Sequence, residues 1–147
     1  MKFVICILVV FFAATSSATK FTFNGTLACS SEEKWCYTVE AKELDMFSND
    51  LIHRHAACHD PKEAYHHGPI PFHLTGEQED DGIFDNFFEL ALLVSHNCSG
   101  KDETVTEDFL PIPVTRKTHD VVKQFNLNNN EIIKLPSEIH ENMDFIQ

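Results

Sequence analysis

Phe21-Thr22-Phe23-Asn24-Gly25-Thr26-Leu27-Ala28-Cys29 and, after a polar link, Trp35-Cys36-Tyr37-Thr38-Val39-Glu40-Ala41-Lys42 both alternate with a period of two. In the first stretch Phe21, Phe23, Leu27 and Cys29 share one parity, and Thr22, Asn24 and Thr26 share the other. In the second, Trp35, Tyr37, Val39 and Ala41 alternate with Thr38, Glu40 and Lys42. Successive side chains of an extended chain point to opposite faces, so each stretch predicts a half-buried strand. The link from Ser30 to Lys34 is short and polar, and predicts a hairpin between them. Gly25 inside the first strand indicates a bulge or a close backbone approach.

Working outward, Ile70, Phe72 and Leu74 alternate with Pro71, His73 and Thr75, a third strand that Pro71 assigns to an edge and Gly76 ends. Phe87 to His96 is the most apolar segment. Phe88, Leu90, Leu92 and Val94 face one way and Ala91 and Leu93 the other, as in a strand covered on both faces. Thr104 to Val114 is β-rich, with a bulge near Asp108; Pro111 and Pro113 leave an unpaired edge. Val121-Val122, Phe125 and Leu127 precede an Asn128-Asn129-Asn130 turn, and Ile132, Ile133 and Leu135 follow it. Residues 45–69 are less regular, with Leu51-Ile52 as a short strand. Neither an internal repeat nor an amphipathic helix is evident. About seven short strands predict an all-β fold, an antiparallel β-sandwich.

The N-terminal residues set the compartment. Met1-Lys2 is a short basic start, Phe3 to Ala14 is apolar, and Ser16-Ser17-Ala18 supplies small residues for cleavage after Ala18. That apolar run is too short to span a bilayer, which needs about 20 residues, and residues 1–18 read as a signal peptide. No later stretch is apolar enough to span a membrane. Residues 19–136 form one domain, and residues 137–147 are polar enough to be a flexible tail. Secretion to the extracellular space follows as the expected localisation.

The chain carries 23 Asp and Glu against 11 Lys and Arg, a formal net charge of −12. A nucleic-acid binder needs a basic face to displace counterions from phosphate, and none is present. Cys6 leaves with the leader. Cys29, Cys36, Cys58 and Cys98 remain, an even set that predicts two disulfides in an oxidising compartment, in any of three pairings. Asn24-Gly25-Thr26 and Asn97-Cys98-Ser99 are acceptor sequences for N-linked glycans.

Taken in order, several of these stretches resemble the secreted transthyretin-like proteins characteristic of nematodes. They are Phe23 to Cys29, Val39 to Asp45, Asn49 to Ile52, Gly68 to Gly76, and Phe88 to Cys98, which ends in Ser95-His96-Asn97-Cys98. The resemblance covers roughly residues 21–135 and implies a prealbumin-like sandwich of two antiparallel sheets. It also implies pairing of the cysteine ending the first strand with the cysteine of the His-x-Cys motif, Cys29 with Cys98 here. That leaves Cys36 and Cys58 for each other. The parity of both strands is compatible with this pairing.

Histidines provide the candidate chemistry. His53, His55, His59, His66, His67 and His73 crowd one segment. His-x-His on a strand puts two imidazoles on one face about 7 Å apart, near enough for His53, His55 and His59 to share zinc, with Asp60 and Glu63 completing a shell. The alternative is a solvated segment that titrates near neutral pH. His96, alone on an apolar strand, reads as a structural hydrogen-bonding residue. Glu77, Glu79, Asp80, Asp81 and Gly82 lack the ligand spacing of a calcium loop and read as a solvated acidic turn.

Catalytic motifs are missing: there is no Gly-x-Ser-x-Gly elbow, no His-Glu-x-x-His and no Gly-rich phosphate loop. 5-Hydroxyisourate hydrolase, which shares the transthyretin fold, ends in Tyr-Arg-Gly-Ser; this chain ends Met143-Asp144-Phe145-Ile146-Gln147. The expected function is therefore a non-catalytic extracellular binding protein, with no cofactor. Its partner would be a small apolar molecule, a lipid or a cell-surface protein, met by edge strands and loops including residues 53–73. The alternative is a zinc-dependent enzyme or metal-binding protein working through the histidine segment.

Overall fold

The computed structural model describes residues 18–45, 49–63, 68–79, 87–115 and 117–133. The residues expected to form the signal peptide (but for Ala18), His66 and His67, residues 80–82 of the expected acidic turn and the expected C-terminal tail fall outside these. The described residues are all-β. Two four-stranded sheets face each other, and a short two-stranded ribbon completes the described strands. The first sheet has the order β10-β9-β1-β4, built from β1 (Thr19–Ala28), β4 (Ile70–Gln78), β9 (Thr118–Asn126) and β10 (Glu131–Ile133). The second has the order β3-β2-β6-β7, from β2 (Trp35–Leu44), β3 (Asn49–His59), β6 (Leu90–His96) and β7 (Glu103–Asp108). The ribbon pairs β5 (Phe87–Phe88) with β8 (Ile112–Pro113).

The period-two pattern does what it predicts. Phe21, Phe23 and Leu27 of β1 and Trp35, Tyr37, Val39 and Ala41 of β2 are buried between the sheets. Phe72, Leu74, Leu90, Leu92, Val94 and Phe125 join them, and Phe21 meets Phe88 edge-on at 5.2 Å. Burying a large side chain of this kind contributes about 1.5–3 kcal/mol, so the alternation is the main force holding the sandwich together.

Several expectations need correction. β1 and β2 are not a hairpin. They lie in different sheets, and Ser30 to Lys34 crosses between them. β1 instead sits centrally, antiparallel to β4 and parallel to β9, with Phe23 opposite both Leu74 and Val121. Residues 49–59 form one long edge strand in place of an irregular segment holding a short one. The Phe87 segment breaks at Glu89, whose carbonyl accepts the Leu44 amide at 2.7 Å. The outer face of β6 is only partly covered, with Ala91 buried and Leu93 half-buried. Pro113 is paired, opposite Phe87, where an open edge was expected. Pro71 does mark an edge strand, β4.

Both disulfides are those the resemblance implies. Cys29–Cys98 ties the end of β1 to the end of β6, and so one sheet to the other. Cys36–Cys58 joins facing residues of β2 and β3 within one sheet.

Candidate functional site

The site is built on β3, the edge strand beside β2. His53, His55 and His59 stand opposite Ala41, Val39 and Trp35. Facing residues of an antiparallel pair project to the same side, so the three imidazoles share the core-facing side of the sheet. At the rim of the sandwich they meet solvent: His53 and His55 are exposed and His59 is half-buried. Each ring has its own neighbour. His53 Nδ1 donates to the Thr75 carbonyl of β4 at 2.6 Å, His55 lies 5.9 Å from the Tyr37 ring, and His59 meets Trp35 edge-on at 5.9 Å.

The first of these contacts belongs to a seam between the edge strands of the two sheets. The register of β3 slips between Leu51 and His53, leaving Ile52 as an extra residue. Ile52 packs directly on Gly76, where a β-carbon would collide with its Cγ2 methyl. Gly76 is therefore a contact site inside β4, not the end of that strand. Gln78 Nε2 donates to Asp50 at 3.1 Å, and on the outer face His73 Nδ1 donates to Asn24 Oδ1 at 2.7 Å.

Of the groups proposed for zinc, the structure places His53, His55 and His59 on one face but gathers no three of their nitrogens. Among the described residues the metal-capable group is a different one, Glu43, Asp45 and Asp50, whose ligand oxygens lie within 4.8 Å of one another. Their oxygen chemistry would suit a hard divalent cation. The sequence reading missed this group. Its one signal was Glu43, an acidic residue on the apolar parity of β2, buried at 1% exposure.

Two recesses flank β3. One, of about 450 Å³, lies at the end of the sandwich and is lined by Cys29, Ser31, Glu32, His59, Pro61 and Lys62 among others. The other, of about 560 Å³, lies on the outer face of the β2 sheet, where Cys36, Cys58, Ala56, Ser95, Asp102 and Glu103 contribute to its lining. Burial pushes the Tyr37 phenol above its ordinary value.

His96 has the structural role expected of it. It is 4% exposed, its Nδ1 accepts the Cys98 amide at 3.3 Å, and its Nε2 donates to Asn130 Oδ1 at 3.0 Å. These partners require the neutral tautomer protonated on Nε2. The neighbouring Asn97 Oδ1 accepts the Cys36 amide at 2.7 Å.

The uncharacterized protein B0416.7 of Caenorhabditis elegans is 34% identical over 119 residues, covering 78% of this chain and 86% of that protein. The chain belongs to the family of B0416.7. The aligned length allows the family to share the sandwich as a whole. No family model matches the chain. No solved structure matches it.

Proposed function

We propose that the chain is an exported, non-catalytic binding protein of transthyretin-like type, taking a small apolar molecule or lipid at the end of the sandwich beside β3. The observation that carries this reading is the recess of about 450 Å³ next to His59. Its size falls within the range of small-molecule sites, about 300–1,000 Å³. The Cys29 side chain and Pro61 supply apolar wall, while His59 and Lys62 supply donors for a polar head. His59 in turn rests against Trp35, a buried residue whose indole N–H has no hydrogen-bond partner.

The two disulfides support export, because such bonds persist in oxidising compartments. Cleavage after Ala18 would release the domain. The same bonds occupy every thiol beyond the leader, and both nitrogens of His96 are engaged, which supports a non-catalytic role. Asn24, on the outer face of β1, is the better glycan acceptor. Asn97 is held against Cys36 and adjoins the Cys98 disulfide. The secreted protein should start at Thr19 and shift on a gel after deglycosylation, and Asn24→Gln should abolish the shift.

The chain has one tryptophan, so Trp35 reports on the recess. Titration of the secreted protein with oleate should change its emission saturably, and Lys62→Ala should weaken the response several-fold. An unchanged emission, together with no small molecule co-purifying by mass spectrometry, overturns the reading.

A further inference from the structure

We propose that the Cys36–Cys58 disulfide is a thiol-exchange site, open to a small cationic thiol that enters the recess on the outer face of the β2 sheet. The inference is independent of the binding role above, which uses the opposite side of β3.

The two disulfides of this chain differ in access. Cys98 is 6% exposed and Cys29 is half-buried at the edge of the smaller recess, so the Cys29–Cys98 bond is covered on its Cys98 side. Around it, His96 holds the Cys98 amide, and Asn128 Oδ1 accepts both the Ser30 amide and the Ser30 hydroxyl. Cys36–Cys58 lies on the outer face of a sheet. Cys58 is exposed, Cys36 is half-buried, and both line the recess of about 560 Å³. Small side chains, those of Ala56, Thr38 and Ser95, share that lining with the two cysteines. Thiol exchange requires a thiolate to reach a disulfide sulfur, so access separates the two bonds.

Position also decides which sulfur is attacked. Cys36 is fixed from both sides, its amide donating to Asn97 Oδ1 at 2.7 Å and its carbonyl accepting the Asn97 amide at 3.2 Å. Cys58 belongs to the edge strand. The incoming thiolate places its electron pair in a new bond to Cys58 Sγ. The Cys58–Cys36 bond breaks, its pair leaves on Cys36 Sγ, and that sulfur takes a proton from solvent. The products are a mixed disulfide at Cys58 and a free thiol at Cys36, with no net oxidant or reductant beyond the thiol itself.

The charge of the recess selects the thiol. Asp102 and Glu103 are part of its lining. No lysine or arginine is among its lining residues, and Arg54, farther along β3, is turned to Glu40 at 3.4 Å. Against the Asp102 carboxylate an aminothiol is attracted and an anionic thiol repelled, an effect that salt screens over about 10 Å at 0.1 M.

The native protein is exposed to cysteamine or to 2-mercaptoethanesulfonate, then alkylated and mapped by mass spectrometry, with each rate normalised to the same thiol acting on an uncharged model disulfide. Adducts and free thiols should appear at Cys58 and Cys36 while Cys29 and Cys98 stay joined. Cysteamine should be favoured by about fivefold at low ionic strength, the preference fading in 0.5 M salt. Asp102→Asn should reduce it; Glu103 is left in place because it accepts the Ser99 hydroxyl. Simultaneous opening of both disulfides, or opening of Cys36–Cys58 only at the rate of global unfolding, overturns the exchange site. A preference unchanged by salt and by Asp102→Asn overturns the role of the recess.

Discussion

The ring of Phe72 lies over the α-carbon of Gly25, so close that a β-carbon there would stand 2.5 Å from its Cζ. The same atom would strike the Lys123 carbonyl of the neighbouring strand. Gly25 is thus the gap in β1 that lets an aromatic from β4 settle into the core. Gly25→Ala leaves the Asn24 acceptor sequence intact but forces ring or strand to move. It should cost about 1–3 kcal/mol, the usual penalty for overpacking, read as a lower denaturation midpoint at unchanged slope.

The disulfides should differ in what they contribute. Cys29–Cys98 closes a separation of 69 residues and Cys36–Cys58 one of 22. Chain-entropy estimates give roughly 4 kcal/mol for the first and roughly 3 kcal/mol for the second. Replacing Cys29 and Cys98 with Ala should therefore lower the melting temperature further than replacing Cys36 and Cys58. Equal losses by calorimetry would contradict this ordering.

Tyr37 should titrate late. Its phenol is buried, which raises its pKa in the folded state above the ordinary value of 10.0. A group whose pKa is raised by folding contributes stability that is complete below the unfolded value and is lost as pH climbs through the folded one. In a Tyr65→Phe protein, Tyr37 is the remaining tyrosine. Its absorbance change at 295 nm should have a midpoint above that of a free phenol, and stability should begin to fall in that alkaline range.

His96 makes two bonds that no simple replacement can reproduce. His96→Ala would strand the buried Cys98 amide and release Asn130, which holds a positive φ of 56° at the β9–β10 turn. A loss of about 2–4 kcal/mol follows from the unsatisfied donor and the cavity together. Nitrogen-15 shifts of the ring should report protonation on Nε2; the Nδ1 tautomer would refute the assignment.

The strands of the core were legible because each buries one face. Phe21, Phe23, Trp35, Tyr37, Phe72 and Leu74 follow parity faithfully. β3 was mostly illegible for the same reason, since an overhanging edge strand has no consistently buried side and its composition shows no alternation. The hairpin reading of β1 and β2 failed because sheet membership is fixed by distant partners, and nothing local in Ser30 to Lys34 distinguishes a turn from a crossing. His-x-His revealed that three imidazoles share a face. It could not reveal that they lean on Tyr37, Trp35 and the Thr75 carbonyl, which depends on where β2 and β4 lie.

The central place of β1 bears on how the chain reaches this structure. Phe23 and its neighbours are made first, yet their partners on one side are in β4 and on the other in β9, with Phe23 opposite Val121. Pairing between such distant segments slows folding, because loop closure is unfavourable until the contacts it permits have formed. During synthesis an apolar strand ending in an unpaired Cys29 must wait until nearly the whole domain has emerged. The first strand to be made is among the last to be housed, and truncations that remove β9 should leave it exposed to aggregation.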